Sequence, residues 1–388
     1  MRCLVGEGSD GGKTLQVREP HRGNSYGFLR LFLASLVIVQ HTLVLTGNPG
    51  SVFLGFDNTA LFSSRVSYGD VAVGGFFALS GFLLYSSVRR HAPGRFIKLR
   101  FFRLFPGFWA ALVMVAFVFA PLIGWAAGTL DSYRLVGADS AATYTVFNSA
   151  LLIVQHTIGG VLDGVPYPQS LDGSFWTLLP EFCCYMALLA VWLVGKRIRL
   201  FGGRGMFVLV FAGAVCLWPV AVVVAGQGHG EVLTAVVGLP VAFFAGVLLA
   251  VFDVPSRMVA AGVRGWFAVA AAAALLTVAV VSGWWMPFGP ACLAVVVVGA
   301  GAMWRTGWVA RVGVRNDYSY GIYLYHFPVI QLLVVLGFAG VAAGAAIWVL
   351  APLTFILAFP FAAASWRLVE GPAQKFARGV RTVEERTP

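Results

Sequence analysis

The stretch Phe28–Leu45, FLRLFLASLVIVQHTLVL, decides the fold class because it is long enough to cross a bilayer as an α-helix and is almost entirely apolar. It also contains Arg30 and His41, which are unusual in such a segment. The two lie eleven residues apart, about 16 Å of helical rise, and eleven steps of about 100° bring both side chains to one face. Polar groups that face lipid are costly, so this face predicts a polar lining inside a membrane bundle.

The composition of the whole chain agrees with a membrane protein. Of its 388 residues, 59% are hydrophobic and only 11% are charged, and the mean hydropathy is +0.83. A soluble domain of this size cannot bury so much apolar surface, so we expect an all-α, polytopic membrane protein. The net charge is +11, with the basic residues clustered in short loops. This pattern indicates membrane orientation and contact with anionic headgroups or phosphates, and it argues against nucleic-acid binding.

Ten apolar runs are long enough to span, and the basic loops between them set the topology. If every basic loop is cytoplasmic, ten spans place both termini in the cytoplasm of a multi-pass protein of the cell membrane. A shorter run, 145–161, carries polar residues and fits this count only if it is re-entrant or lies at the outer surface. The alternative is that it spans fully and one basic loop is misassigned. The predicted spans are 27–46, 71–88, 107–127, 174–195, 205–225, 232–252, 265–282, 287–304, 317–337 and 341–366.

The remaining segments indicate no second domain. We expect one transmembrane domain, 26–369, between flexible cytoplasmic tails at 1–25 and 370–388. The first 25 residues lack the apolar core of a cleavable signal peptide. The five cysteines have no spacing that suggests a disulfide framework or a metal site, so no metal is expected.

The best candidate for a catalytic base is His41, because a neutral imidazole inside a membrane can take a proton from a hydroxyl. Glu181 lies about seven residues into a span that enters from outside, which places it in the outer half of the bilayer at a depth similar to His41. We therefore predict that the two pair, with the acid orienting the ring as in a hydrolase triad. Tyr185 is one turn further on and shares the face of Glu181. The alternative is a lock between helices without chemistry.

Other polar residues suggest how a ligand enters. Arg100 and Arg103 are an i,i+3 pair in a cytoplasmic loop, which suits a phosphate-bearing ligand, although a patch that contacts anionic lipid explains the charge equally well. Ser80 lies in the Gly-rich run Gly74–Phe82, whose small residues favour close packing of helices. In the ninth span, Tyr323 and His326 are expected to line a cavity, whereas Tyr318 and Tyr320 suit a membrane interface.

Six motifs in this order resemble the membrane-bound acyltransferase family 3, and the resemblance covers about residues 26–373. Single motifs are weak, but six in order on a ten-span chain are specific. Three departures are Thr177, where the family usually has Ser, Pro180, which directly precedes the motif's Glu, and Cys183 with Cys184, where polar or aromatic residues are common. The matching residues are Arg30 with His41, Phe76 to Phe82, Arg100 with Arg103 and Pro106, Trp176 to Tyr185, Ser319 to Pro328, and Val369 with Glu370 and Pro372.

The resemblance implies a reaction in which an acyl group, usually acetyl, moves from cytoplasmic acyl-CoA to a hydroxyl of a sugar, glycan or macrolide-type secondary metabolite. Acyl-CoA is then a co-substrate, and no further cofactor is expected. On this interpretation, His41 and Glu181 are catalytic. Acyl-CoA is bound by Arg30, Arg100, Arg103 and Ser80. The route of the substrates is lined by Trp176, Tyr185, Tyr323 and His326.

A proton-coupled transporter is the main alternative, because it would also carry intramembrane His, Glu and Arg. Such transporters often show repeat symmetry between halves and broken helices at matched positions, and the sequence has neither feature. A non-catalytic membrane scaffold gives no reason for polar groups at matching depth. Binding or hydrolysis of acyl-CoA by the purified protein would separate an acyltransferase from both alternatives.

Overall fold

The computed structural model describes residues 23–46, 66–198, 202–225, 230–282, 284–314, 316–338 and 346–379, and all regular secondary structure in these ranges is helical. The predicted all-α fold is therefore confirmed. Each predicted apolar run coincides with a helix or with most of one, and residues 341–345 of the last run lie outside the described residues. The α-helices are α1 (Tyr26–Leu45), α2 (Tyr68–Arg90), α3 (Pro93–Met114), α4 (Ala120–Ala127), α5 (Ala141–Asn148), α6 (Leu178–Arg197), α7 (Gly202–Ala225), α8 (Gly230–Val251), α9 (Val254–Ala260), α10 (Val263–Val281), α11 (Trp285–Met303), α12 (Ser319–Val335), α13 (Ala346–Ser365) and α14 (Gly371–Arg378).

Helix length and composition support a multi-pass membrane protein. In the described ranges, six helices are long and apolar enough to cross a membrane, and a seventh span results if α8 and α9, bent by 56°, are counted as one. Three shorter apolar helices, within α7, α11 and α12, occupy the remaining predicted positions. Large apolar side chains are exposed on the outer helices, for example Trp348 at 80% and Phe267 at 69%. Such a surface suits contact with lipid rather than water.

Two π-helical turns interrupt otherwise continuous helices. Val115–Phe119 joins α3 to α4, and Trp366–Glu370 joins α13 to α14. The predicted C-terminal tail therefore starts as a helix, and α14 packs against α3. Residues 1–22 and 380–388, which make up the rest of the predicted tails, lie outside the described residues.

Residues 145–161 do not form a spanning helix, which excludes the alternative of a full span. Helix α5 ends at Asn148, and an irregular loop continues toward α6. The side chain of Asn148 is fully buried; its Oδ1 accepts from the backbone N of Val154 at 2.8 Å, and its Nδ2 donates to the carbonyl of Gln155 at 2.8 Å. The buried amide of Asn148 thus satisfies backbone groups of the loop that follows it.

Helix α2 lies at the centre of the bundle and packs against α1, α8 and α11. Its contact with α8 is the closest, because glycines face backbone on both sides. A Cβ at Gly81 would collide with the carbonyl oxygen of Phe243, and one at Gly246 would collide with that of Ala78. The predicted close packing of the Gly-rich run is therefore present. It holds α2 so that its opposite face lines a cavity.

Candidate active site

A cavity of about 1370 Å³ opens at the end of the bundle that carries the basic loops. Its mouth is marked by the exposed residues Arg89, Arg90, Lys375 and Arg378, and helices α1, α2, α3, α6 and α12 contribute to its walls. The volume exceeds that of an ordinary small-molecule pocket, so a ligand as large as a nucleotide thioester fits its size. The structure brings seven of the predicted site residues to its lining: Arg30, Ser80, Arg100, Arg103, Glu181, Tyr185 and Tyr323.

Two of the predicted arginines share a carboxylate that the sequence interpretation did not include. Asp317 Oδ2 accepts from Arg30 Nη1 at 2.9 Å and from Arg103 Nη2 at 2.8 Å. Its other oxygen accepts from Ser319 Oγ at 2.5 Å. Burial acts to raise the pKa of Asp317, but the two guanidinium groups and Ser319 outweigh it and lower this pKa to about 2. Arg30 and Arg103 therefore already have an anionic partner.

Arg103 has a second acidic neighbour. Its Nη1 lies 3.8 Å from Oε2 of Glu370, a side chain that is only 1% exposed. Ser365 Oγ donates to the other oxygen of Glu370 at 2.9 Å, and the Arg103 guanidinium lies 5.1 Å from the ring centroid of Tyr320. These contacts hold Arg103 in one position between three helical segments.

Arg100 differs from its i,i+3 neighbour. In the part of the chain that the structure describes, Arg100 forms no ion pair, and its buried Nε has no hydrogen-bond partner. Its guanidinium carbon lies 5.8 Å from the ring centroid of Phe96. The predicted pair is therefore unequal: Arg103 is held by Asp317, although its Nη1 also lacks a hydrogen-bond partner, whereas Arg100 has no carboxylate partner among the described residues and is available for an anionic ligand.

The predicted contact between His41 and Glu181 is wrong. Glu181 Oε1 accepts a short hydrogen bond from Tyr185 Oη and a longer one from Ser80 Oγ at 3.4 Å. The first turn of α6 directs this carboxylate toward the cavity and toward Tyr185, four residues later on the same face. His41 instead lies on the face of α1 that packs against α12.

The partner of His41 is His326. The two rings are stacked with centroids 4.9 Å apart, and His41 Nδ1 lies 2.6 Å from His326 Nε2. His326 Nδ1 lies 2.8 Å from the carbonyl oxygen of Tyr323 and 3.2 Å from that of Ile322. Neither histidine is among the residues that line the cavity.

These distances determine the tautomers of both rings when they are neutral. A carbonyl oxygen only accepts, so His326 Nδ1 carries the proton and its Nε2 is an acceptor. His41 Nδ1 must then donate to His326, which leaves His41 Nε2 with a free lone pair. In the described structure this nitrogen has no hydrogen-bond partner. Because His326 is fully buried and His41 only partly, the proton-accepting atom belongs to the more accessible ring.

Tyr323 joins the histidine pair to the loop before α6. Its hydroxyl donates to the carbonyl of Ser174 at 2.8 Å and lies 2.5 Å from Thr177 Oγ1. Asp172 Oδ1 accepts from the backbone N of Ser174 at 2.8 Å and from its Oγ at 2.5 Å. Burial raises the pKa of Asp172 to about 8, against the hydrogen bonds from Ser174 that lower it. Thr177, which departs from the usual Ser of the motif, thus uses its hydroxyl.

Trp176 does not line the cavity, contrary to the prediction. The short 3₁₀ turn Phe175–Thr177 directs its first and last side chains into the core and leaves Trp176 at 38% exposure. The sequence interpretation also gave no site role to Asp317, Glu370 or Asp172, although Glu370 is one of the motif residues. A usable signal existed for the first two, since each is an acid at the predicted cytoplasmic end of a span, the same end as the arginines. Among the described residues, no group of three or more His, Cys, Asp or Glu is arranged to hold a metal ion.

Comparison with known proteins assigns the family. The pattern of the acyltransferase domain Acyl_transf_3 matches residues 24–367, which is most of the chain. The chain belongs to acyltransferase family 3. This confirms the resemblance inferred from the six motifs and makes the protein an acyltransferase of the membrane.

Two known proteins are similar to this chain along most of its length. One is an O-acetyl transferase of Shigella phage Sf6, 24% identical over 324 residues, which cover 81% of this chain and 86% of the relative. The other is nodulation protein 10 of Rhizobium leguminosarum bv. viciae, 27% identical over 379 residues, or 92% and 94% of the two chains. No solved structure matches the chain. Together, family and relatives support a membrane O-acyltransferase.

Proposed function

We propose that the protein transfers an acyl group, most simply acetyl, from acyl-CoA to a hydroxyl of a sugar, glycan or other hydroxylated small molecule. The observation that carries the proposal is the hydrogen-bonded order of the histidine pair, which leaves His41 Nε2 unprotonated. A base with a free lone pair is what an alcohol needs in order to become a nucleophile. The relative described as an O-acetyl transferase supports acetyl as the group transferred.

In the proposed step, the hydroxyl oxygen of the acceptor attacks the carbonyl carbon of the thioester while His41 Nε2 takes its proton. The new C–O bond forms, the C–S bond breaks, and the sulfur of CoA leaves as a thiolate that receives the proton from His41. His326 stabilises the imidazolium through its Nε2 lone pair, at 2.6 Å from His41 Nδ1. This is the part that the sequence interpretation gave to Glu181.

The cavity supports a nucleotide thioester as donor. Arg100 offers unpaired donors for phosphate, and exposed basic residues surround the mouth. Glu181 and Tyr185 lie in the same wall, where a hydrogen-bonded carboxylate and phenol suit the polar groups of the donor's arm. Within this proposal, Glu181 is a binding residue of the donor cavity.

The distribution of basic residues supports a cytoplasmic mouth. Short loops rich in Lys and Arg face the cytoplasm in most multi-pass proteins, and acyl-CoA is a cytoplasmic metabolite. The acceptor then approaches the histidine pair from the other side of the membrane or from within the bilayer. We place the protein in the cell membrane with both termini in the cytoplasm.

The test uses the full chain in lipid nanodiscs with radiolabelled acetyl-CoA. We expect thioester cleavage to depend on a hydroxylated acceptor, and labelled product to appear with extracted surface glycans or a glycosylated macrolide. Mass spectrometry of glycans and small molecules from a strain lacking the gene identifies the acceptor as the species that loses an acetyl mass. Acetyl-CoA that neither binds nor reacts would contradict the proposal and favour a transporter.

A further inference from the structure

One stripe of α2 side chains runs the whole length of the cavity. Val73, Phe76, Ser80 and Ser87 follow at spacings of three, four and seven residues, so they share a face, and Arg90 ends the helix at the mouth. From Val73 to Arg90 the helix rises about 25 Å. Leu84 lies on this face between Ser80 and Ser87, so the two ends differ chiefly in charge: Val73 and Phe76 are apolar, whereas Arg89 and Arg90 at the mouth are cationic.

The apolar end of the stripe is where the cavity closes. On α2 the lining begins at Val73, on the α6 side it begins at Thr177, and on α12 it ends at Tyr323. These positions are in contact, because the Phe76 and Tyr323 rings meet edge to face at 6.2 Å and the Tyr323 hydroxyl lies 2.5 Å from Thr177 Oγ1. We call Val73, Phe76, Thr177 and Tyr323 the closed end.

The closed end adjoins the histidine pair. The Tyr323 ring lies 5.9 Å from that of His326, and Phe76 packs against the cluster that contains Ile38 and Phe327. The Phe327 ring lies 5.0 Å from that of His41. The closed end is therefore the part of the cavity nearest to the proposed base.

The difference between the cationic mouth and the closed end orients an acyl-CoA molecule. Its anionic nucleotide matches the basic mouth, and its acyl group, at the other end of the molecule, matches the apolar closed end. We propose that Phe76, supported by Val73 one turn away, sets the length of the acyl chain that the enzyme accepts. This inference rests on the proposed function, because it assigns the acyl group of the same donor.

Two observations indicate that the ring of Phe76 is held in place and limits the length of the acyl chain. Its ring packs on one side against Tyr323, whose hydroxyl is fixed by Ser174 and Thr177. On the other side it packs against buried side chains of α1 and α12. A short acyl group fits in front of the ring, whereas a longer chain needs the space that the ring fills. Well-packed interiors resist such overpacking.

The experiment measures kcat/KM for acetyl-, butyryl- and hexanoyl-CoA in nanodiscs with one acceptor. For the wild type we expect acetyl to be strongly preferred. Phe76→Ala should raise the butyryl-to-acetyl ratio at least tenfold, because one methylene in an apolar pocket changes discrimination about 10- to 200-fold. Phe76→Leu, which removes less volume, should give an intermediate ratio and serves as the deciding variant if Phe76→Ala fails to insert.

The matched control is Phe82→Ala, which removes the same side chain from α2 nearer the mouth, where Phe82 packs on Tyr26 with centroids 5.4 Å apart. Its butyryl-to-acetyl ratio should stay within twofold of the wild type. An unchanged ratio in a folded Phe76 variant, or equal use of hexanoyl and acetyl by the wild type, would overturn the inference and leave the acyltransferase proposal intact. Failure of the wild type with every acyl-CoA would overturn the proposed function itself.

Discussion

The two ends of the site solve the problem of buried polarity in different ways. Near the mouth, Arg30 and Arg103 are neutralised by Asp317 and Glu370, so the charges persist because they are paired. At the far end, His41 and His326 form a neutral pair in which each of the two N–H groups in the pair has an acceptor. The first arrangement suits holding an anionic ligand, and the second suits moving a proton.

The difference between the two ends of the site explains why one face of α1 carries both Arg30 and His41. The arginine lies in the cavity wall, whereas the histidine lies behind the closed end, against α12. Substitutions at the two ends should therefore fail differently. Substitutions at the histidine pair should lower the rate of transfer. Those at the arginine cluster, which is Arg30, Arg100 and Arg103, should change donor affinity or stability.

Replacement of His41, in the neutral histidine pair, should cause the largest loss of activity. His41→Gln keeps a polar side chain but has no basic nitrogen, so we expect kcat/KM for acetyl transfer to fall about 10³-fold. The measurement is transfer of label from acetyl-CoA, with monodisperse elution from detergent as the check on folding. Activity within tenfold of the wild type would remove His41 as the base.

Replacement of His326 tests the tautomer argument. His326→Leu removes the acceptor for His41 Nδ1–H, and we expect kcat to fall about 10²-fold with the KM for acetyl-CoA unchanged. His326→Gln can still present an oxygen to His41 and should recover part of the loss. Equal activities of the two variants would show that His326 only fills space.

Removal of Arg103 tests the paired charges. Arg103→Ala leaves the buried Glu370 without its cation, and breaking a buried ion pair from one side costs about 3 kcal/mol. We expect a lower thermal unfolding midpoint in nanodiscs. The double variant Arg103→Ala with Glu370→Gln should recover stability, and a midpoint equal to that of Arg103→Ala alone would contradict the pairing.

Removal of Arg100 should have the opposite effect: it should weaken the binding of acetyl-CoA and leave stability almost unchanged. This side chain has no acidic partner among the described residues, so Arg100→Ala should leave the unfolding midpoint within about 2 °C of the wild type. Loss of a hydrogen bond to a charged ligand costs about 1.5–3 kcal/mol, which raises the KM for acetyl-CoA about 10- to 100-fold. If Arg103→Ala raises the KM for acetyl-CoA more than Arg100→Ala does, when both variants are folded, then Arg103 rather than Arg100 is the main donor-binding residue.

The last comparison concerns pH and two aspartates of opposite character. Asp317 has a pKa lowered to about 2 by Arg103 and Arg30, so its contribution is present above about pH 4 and is lost as the pH falls toward 2. Asp172 has a pKa raised to about 8 by burial, so it lowers stability progressively as the pH rises from about 4 to 8.

Unfolding midpoints between pH 2 and 8 check both aspartates. Asp317→Asn should be less stable than the wild type above pH 4, with a deficit that shrinks toward pH 2. Asp172→Asn, which keeps the oxygen that accepts from Ser174, should be the more stable protein at pH 8, with an advantage that vanishes toward pH 4. Parallel pH curves for a variant and the wild type would contradict the assignment for that residue.

Much of the fold follows from local sequence. A run of apolar residues long enough to span predicts a helix wherever it occurs, and the helices lie at the ten predicted positions. The Gly-rich run of α2 packs as its small residues require. The basic residues also identify the end at which the cavity opens. These features depend on composition within a few turns of chain.

The pairing of His41 could not be predicted in the same way. Depth along a helix is one coordinate, and by that measure the sequence favours Glu181 as the partner of His41. The rotation of α1 against α12 selects His326, and it results from packing between segments 285 residues apart. Similarly, the choice between Arg100 and Arg103 depends on Asp317 and Glu370, which reach the cluster from other parts of the chain.

The π-helical turn Trp366–Glu370 has a consequence for insertions and deletions. A π turn holds one residue more than an α turn, so the direction of Glu370 depends on the number of residues before it. Deleting the exposed Leu368 would let α13 continue into α14 as a regular α-helix. Every later side chain would rotate by about 100°, and Glu370 would leave Arg103. At this junction, segment length rather than side-chain chemistry encodes the counter-ion of the arginine cluster.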